Sequence, residues 1–179
     1  MPKETSPISD LLNEAGLPPH DDVEAIVRSE PGGEKRQLRL WLRLLACANL
    51  IEAEIRHRLR VEYDMTLPRF DLMAQLYREP EGLRLSDLSK RMMVSNGNLT
   101  ALVDRLIVDG YVSRTTDSND RRAFVVQLTK AGAFIFSQLA TAHEGWLREL
   151  MGDLSEAQMT SLTHDLAHLK RSLIQRRTG

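Results

Sequence analysis

The stretch from Leu85 to Thr129 constrains the fold more than any other part of the chain. Ser86 is an N-cap candidate for a short helix over Asp87–Met92, because its side-chain oxygen can accept a backbone N–H left orphaned at a helix start. Val94 then leads into Ser95, a second N-cap candidate, and a helix reaching about Asp109 follows. Leu99, Leu102, Val103, Leu106 and Ile107 recur there at helical spacing and make one apolar stripe. The opposite side carries Asn96, Gly97, Thr100, Ala101 and Asp104, with Asn98 and Arg105 at its edges. Gly110 can supply the left-handed stop. Two helices joined by so short a turn, the second presenting small polar residues at its N-terminus, suit a helix-turn-helix.

Tyr111–Thr115 and Phe124–Leu128 each suit a short strand, since Val112, Val125, Val126 and the flanking aromatics favour a pleated backbone. Asp117-Ser118-Asn119-Asp120 between them is a turn cluster, and Arg121-Arg122 follow at once. A helix-turn-helix with an arginine-bearing hairpin appended is a winged helix. With these residues in view the chain resembles the MarR family of bacterial transcription regulators. The resemblance is carried by Ser95-Asn96-Gly97-Asn98-Leu99-Thr100, Val103-Asp104-Arg105-Leu106, Gly110-Tyr111-Val112, and Asp120-Arg121-Arg122 leading to Leu128-Thr129. It extends over about residues 35–175.

Composition sets bounds on this reading. A chain of 179 residues with 42% hydrophobic content is one domain with appendages, or one domain built to pair. No apolar run is long enough to span a bilayer, and the start lacks the pattern of a secretory signal, so a cytoplasmic protein with no membrane partner is expected. One cysteine excludes an internal disulfide framework. The net charge of −1 would suit a DNA binder poorly if it were uniform. Residues 1–33, however, hold seven acids against Lys3 and Arg28, which leaves the remainder at +4. Local charge governs phosphate attraction.

The expected architecture is mainly α with a small β-wing, a winged helix-turn-helix set between dimerisation helices. Residues 1–33 form an acidic extension with Pro18-Pro19 and Gly32-Gly33 breaks, read as a tail whose Leu11-Leu12 and Val23-Ile26-Val27 could alternatively dock. Residues 34–66 hold a long helix over Glu34–Glu62, apolar at Leu38, Trp41, Leu42, Leu45, Ala48, Ile51, Ile55 and Leu59, and again at Leu40, Leu44, Cys47 and Leu50. A helix apolar on more than one side needs more than one neighbour, and a second copy of the chain would supply it. Residues 67–129 form the DNA-binding region, opened by Pro68 in a first helical turn. Residues 130–179 complete the bundle: Thr129 caps a helix to about Met151, and Ser155-x-x-Gln158 is a capping box. The near-heptad Leu162, Leu166, Leu169 and Leu173 suits a partner helix.

Other motifs point to no enzyme. His164 and His168 lie one turn apart without a third ligand, so no metal site is expected. His143-Glu144 has no nucleophile or phosphate loop beside it, and no cofactor is expected. Met92-Met93 and Cys47 read as core. Arg39 and Arg43, one turn apart in an apolar helix, either snorkel and pair with acids or fork an anion.

The resemblance implies a homodimer on pseudo-palindromic DNA, with Asn96 and Asn98 at base edges and Ser95 and Thr100 on phosphates. Arg121 and Arg122 would carry the wing to backbone and minor groove, and Arg105 and Arg114 complete the candidate set. It also implies a ligand-responsive repressor, released by an aromatic carboxylate or, as in relatives tied to aromatic catabolism, an aryl-coenzyme A thioester. The candidate effector residues are Arg39, Arg43, Phe70, Met73, His143 and Trp146, with Arg56 and Arg58 as further entrance charges. The alternative is a winged-helix module that binds an acidic protein instead of DNA.

Overall fold

A computed structural model describes residues 36–116 and 124–178 of the chain. In chain order the elements are α1 (Arg36–Tyr63), α2 (Leu67–Tyr77), β1 (Leu83–Arg84), α3 (Leu85–Met92), α4 (Asn96–Val108), β2 (Val112–Thr116), β3 (Phe124–Leu128), α5 (Lys130–Leu150) and α6 (Glu156–Thr178). They fall into two compact units divided between Glu54 and Ile55, within α1. The acidic extension and the wing tip, with Arg121 and Arg122, lie outside the described residues. No helix among the described residues is long and apolar enough to cross a membrane.

The first unit contributes the N-terminal part of α1. Leu42 is buried there, but Leu38, Leu40, Trp41 and Leu50 are exposed, and so is Cys47. The core assignment of Cys47 is therefore corrected: an apolar run in mid-helix reaches round all sides, and the thiol falls on an outer one.

In the second unit α1 ends at Tyr63, the positive φ of 48° at Asp64 turns the chain, and the Met65 amide donates to the Leu59 carbonyl at 3.0 Å. Pro68 sits in the first turn of α2, where its missing N–H costs nothing. Phe70, Leu72, Met73 and Leu76 of α2 are buried, alongside Leu88 of α3 and Leu99, Val103 and Leu106 of α4. The stripe read from the sequence is thus the face by which α4 is held.

The sheet has the order β1-β3-β2, all antiparallel, with Val126 of β3 fully buried between Leu83 and Arg114 in register. The sequence reading lacked β1, since two residues are too few to show alternation. It also placed the first helix late. Pairing to β3 holds Leu83–Arg84 extended, and α3 begins at Leu85 with Arg84 as N-cap and no side-chain cap, so Ser86 is inside the helix. Gly82 makes this possible: its φ is 85°, and a Cβ there would come within 2.6 Å of the Val126 carbonyl oxygen.

The C-terminal helices start as their sequence signals indicate. Thr129 Oγ1 accepts from the Gly132 amide at 2.9 Å. At α6, Ser155 Oγ accepts from the Gln158 amide (3.3 Å) and the Gln158 side chain accepts from the Ser155 amide (2.9 Å). Leu162, Leu166 and Leu173 of the near-heptad seam are exposed on this single chain. Gly132 of α5 packs directly on the backbone of Tyr111, and a Cβ there would collide with the Tyr111 carbonyl. Gly132→Ala should therefore cost about 1–3 kcal/mol, the range for overpacking. Urea denaturation should show the midpoint falling, and an unchanged midpoint would mean that this approach is looser than described.

Candidate nucleic-acid interface

The two helices of the helix-turn-helix are joined through Met93, in the left-handed region at φ 55°. It is 89% exposed, so it is not core filler: a residue in this conformation at a C-cap points outward while the chain reverses. Ser89 fastens the turn from within, its Oγ donating to the Val94 carbonyl at 2.7 Å and its carbonyl accepting from the Val94 amide at 3.3 Å. Ser95 caps α4, its Oγ accepting from the Asn98 amide at 3.3 Å. Thr100 Oγ1 donates to the Asn96 carbonyl at 2.8 Å. Ser95, Asn96, Gly97, Asn98, Ala101, Asp104 and Arg105 are all exposed, and a Cβ on Gly97 would meet nothing within 4 Å. A helix start bare of bulk, with polar side chains and first-turn amides facing out, can approach phosphate and base edges closely.

The described arginines of this face are already paired. Arg114 Nη1 lies 3.2 Å from Asp104 Oδ1, and its guanidinium sits 5.2 Å above the Phe124 ring. Arg105 Nε lies 3.7 Å from Asp109 Oδ1. Asp109 also takes an ion pair from Arg69 of α2. At the other end, Arg91 of α3 pairs with Glu79 at 2.9 Å.

Between α2 and α5 the aromatic side chains form a continuous row. Trp146 lies 6.5 Å from His143, His143 5.1 Å from Phe70, Phe70 5.5 Å from Phe136, and Phe136 4.8 Å from Tyr77, measured between ring centroids. Tyr63 meets Trp146 edge-on at 6.0 Å. An open hollow of about 560 Å³ is lined by Tyr63, Ser137, Gln138, Thr141 and Ala142. In the first unit, Arg36, Arg39, Leu40 and Arg43 line a hollow of about 310 Å³. No group of three or more metal-ligating side chains forms among the described residues.

The MarR family pattern matches residues 65–124. BadR, a transcriptional activatory protein of Rhodopseudomonas palustris, is 32% identical over 138 residues, which span 75% of this chain and 77% of BadR. The chain belongs to the MarR family of transcription regulators. The crystal structure of a MarR family regulator from Silicibacter pomeroyi is 34% identical, with a TM-score of 0.68 over 80% of this chain and 99% of the other. A cysteine-to-serine mutant of MarR from E. coli, solved with operator DNA, shares the fold at 23% identity with a TM-score of 0.66, covering 78% of this chain and 99% of its own.

Within this MarR-family fold, the structure gathers Ser95, Asn96, Asn98, Thr100 and Arg105 on one helix, with Arg114 tied to it through Asp104. Of the candidate effector residues, Phe70, His143 and Trp146 share the aromatic row, whereas Met73 has no exposed surface to offer a ligand. Arg39 is half-buried and Arg43 exposed, so neither is a charge stranded in a core. The sequence reading missed the Arg69–Asp109 and Arg91–Glu79 pairs, whose partners lie far apart in the chain and carry no local signature.

Burial holds the His143 imidazole below the ordinary histidine value of 6.5, against the opposing pull of the Glu144 carboxylate. The folded chain therefore favours neutral His143, and as pH falls through 6.5 the unfolded chain takes up this proton first. Stability from this group is present above 6.5 and is lost below it, until the folded group is itself protonated. Thermal melts between about pH 7.5 and about pH 5.5 should fall more steeply for the native protein than for His143→Phe, which keeps a ring in the row. Parallel curves would exclude His143 as the source.

Proposed function

We propose that this protein is a homodimeric, ligand-responsive repressor that binds a pseudo-palindromic operator and acts in the cytoplasm. The observation that carries the DNA-binding part is the bare, polar N-terminal turn of α4, with Ser95, Asn96 and Asn98 exposed together. Asn96 and Asn98 read base edges in the major groove, where asparagine matches adenine and one bidentate pair is worth about 1–3 kcal/mol. Ser95 and Thr100 contact phosphates. Arg105 and Arg114 exchange their aspartate partners for phosphate, and Arg121 and Arg122 take the wing to the backbone and minor groove. The exposed Leu162, Leu166 and Leu173 of α6, and Leu38, Leu40 and Trp41 of α1, support a dimer, since apolar positions at helical spacing are otherwise left in water.

The effector is an aromatic carboxylate or an aryl-coenzyme A thioester. Three guanidinium groups lining the hollow at Arg36, Arg39 and Arg43 support an anion, since such groups match carboxylate and phosphate in a forked geometry. Phe70 and Trp146 are themselves buried, so an aromatic ligand would meet this row at His143, the partly exposed ring between them, where ring stacking favours it. A ligand can release DNA only by binding one conformation of the dimer better than another.

The test is a mobility shift on the promoter beside the protein's own gene, with and without candidate acids and thioesters. The native protein should bind and be released. Arg39→Ala/Arg43→Ala should bind the operator equally well, because neither residue belongs to the winged helix, yet need at least about tenfold more ligand for release. Absence of operator binding would sink the DNA reading, and equal ligand requirement would return both arginines to surface duty. BadR is named an activator, so a promoter-reporter strain should accompany the assay, and rising expression on deletion is the repressor outcome.

A further inference from the structure

Arg69 is the third residue of α2, in its first turn, and Asp109 is the C-cap of α4. Arg69 Nη2 donates to Asp109 Oδ2, and the two side chains are only 12% and 20% exposed. The other Asp109 oxygen faces Arg105 at 3.7 Å. Arg69 Nε is buried with no hydrogen-bond partner, so the guanidinium is held by one end.

Each charge stands at the unfavourable end of its own helix. A helix start carries partial positive charge and disfavours arginine, whereas a helix end carries partial negative charge and disfavours aspartate. Both groups have also been drawn largely out of water, which offsets much of their attraction. The helix dipoles therefore gain nothing from the pair, and the only ion pair either side chain makes within its own helix is the long one from Asp109 to Arg105. What the pair fixes is distance: the end of α4 is tied to the start of α2. Both helices are seated in the core, α2 by Phe70, Leu72, Met73 and Leu76 and α4 by Leu99, Val103 and Leu106. Helix α4 has 13 residues and spans about 20 Å at 1.5 Å per residue. With α4 seated on that apolar face, a shift at Asp109 tilts it and displaces Asn96 and Asn98 at the far end. Hydrogen bonds to base edges tolerate little displacement, whereas attraction to phosphates along a groove tolerates more.

We propose that Arg69 and Asp109 are a positioning pair that sets the pitch of α4 in the groove, and with it the ratio of specific to non-specific DNA binding. This rests on the DNA-binding reading above. The pair touches no base; it acts through Asn96 and Asn98.

Full-length Asp109→Asn, Arg69→Gln and the exchange variant Arg69→Asp/Asp109→Arg provide the test. Affinity is measured for a promoter operator and for random-sequence DNA of equal length, with dimer mass and thermal midpoint recorded for each protein. The two single substitutions change net charge in opposite directions, so a purely electrostatic effect would raise affinity in one and lower it in the other. Positioning predicts the same sign in both: the specific-to-non-specific ratio falls roughly tenfold, about what one misplaced base contact costs. The exchange variant places each charge at the helix end that favours it, so its thermal midpoint should equal or exceed those of the single variants. Its ratio should stay low, because the long and short side chains have traded places. An unchanged ratio in the folded variants would overturn the proposal, as would a ratio that simply follows thermal midpoint through all three. If the native protein itself shows no operator preference, the DNA-binding reading fails first and takes this inference with it.

Discussion

Four segments of the winged helix meet at the backbone of Gly110 and Tyr111. The end of α4 closes there, with the Tyr111 amide donating to the Leu106 carbonyl at 2.9 Å and Gly110 at φ 78°. Strand β2 leaves from Val112. Strand β3 returns to the same point, where the Thr129 amide donates to the Tyr111 carbonyl at 3.0 Å and Thr129 Oγ1 donates to the Gly110 carbonyl at 2.8 Å. Helix α5 then starts against it, with Gly132 on the Tyr111 backbone. One threonine thus closes the wing, satisfies the end of α4 and caps the next helix. The glycine opposite leaves room for all of this. No other residue type would permit that approach, because any Cβ would enter the carbonyl.

From this corner outward, the elements are held by contacts of two kinds. Leucine and valine side chains from α2, α3 and α4 seal the interior, where Leu72, Leu88, Leu99 and Leu106 are fully buried or nearly so. Ion pairs tie the outer ends: Arg69 to Asp109, Arg91 to Glu79, and Arg114 to Asp104. Each of these pairs joins one segment to another at its margin. Burial supplies the free energy and the margin pairs supply placement: Arg91–Glu79 and Arg114–Asp104 are exposed enough to contribute little, and in the part-buried Arg69–Asp109 pair desolvation offsets much of the attraction.

Legibility in the sequence followed the range of the interaction. Caps act over three residues, and Ser95, Thr129 and the Ser155–Gln158 box could be read directly. Gly110 was equally plain, since a glycine after an apolar stripe marks a left-handed stop. Helical period identified the buried side of α4. Strand β1 could not be read, because only pairing with β3, some forty residues on, makes Leu83–Arg84 extended. Met93 and Cys47 were misjudged for a different reason: residue type suggests burial, but the direction of a side chain at a turn or on a broad helix decides it. At the site, the polar start of α4 was visible as a run of small residues. The acids that hold Arg105 and Arg114 were visible only as charges, without their partners.

The net charge of −1 is unevenly spread, since residues 1–33 hold seven acids against two basic residues, and on the winged helix Arg105 and Arg114 are paired with Asp109 and Asp104. The central claim is that two copies of α4 read two half-sites related by a dyad. Hydroxyl-radical footprinting of the protein on its own promoter tests this most directly. The account predicts two protected tracts of equal length about the dyad, centred roughly one helical turn, 10–10.5 base pairs, apart. A single tract without a dyad, or uniform weak protection along the fragment, would contradict it.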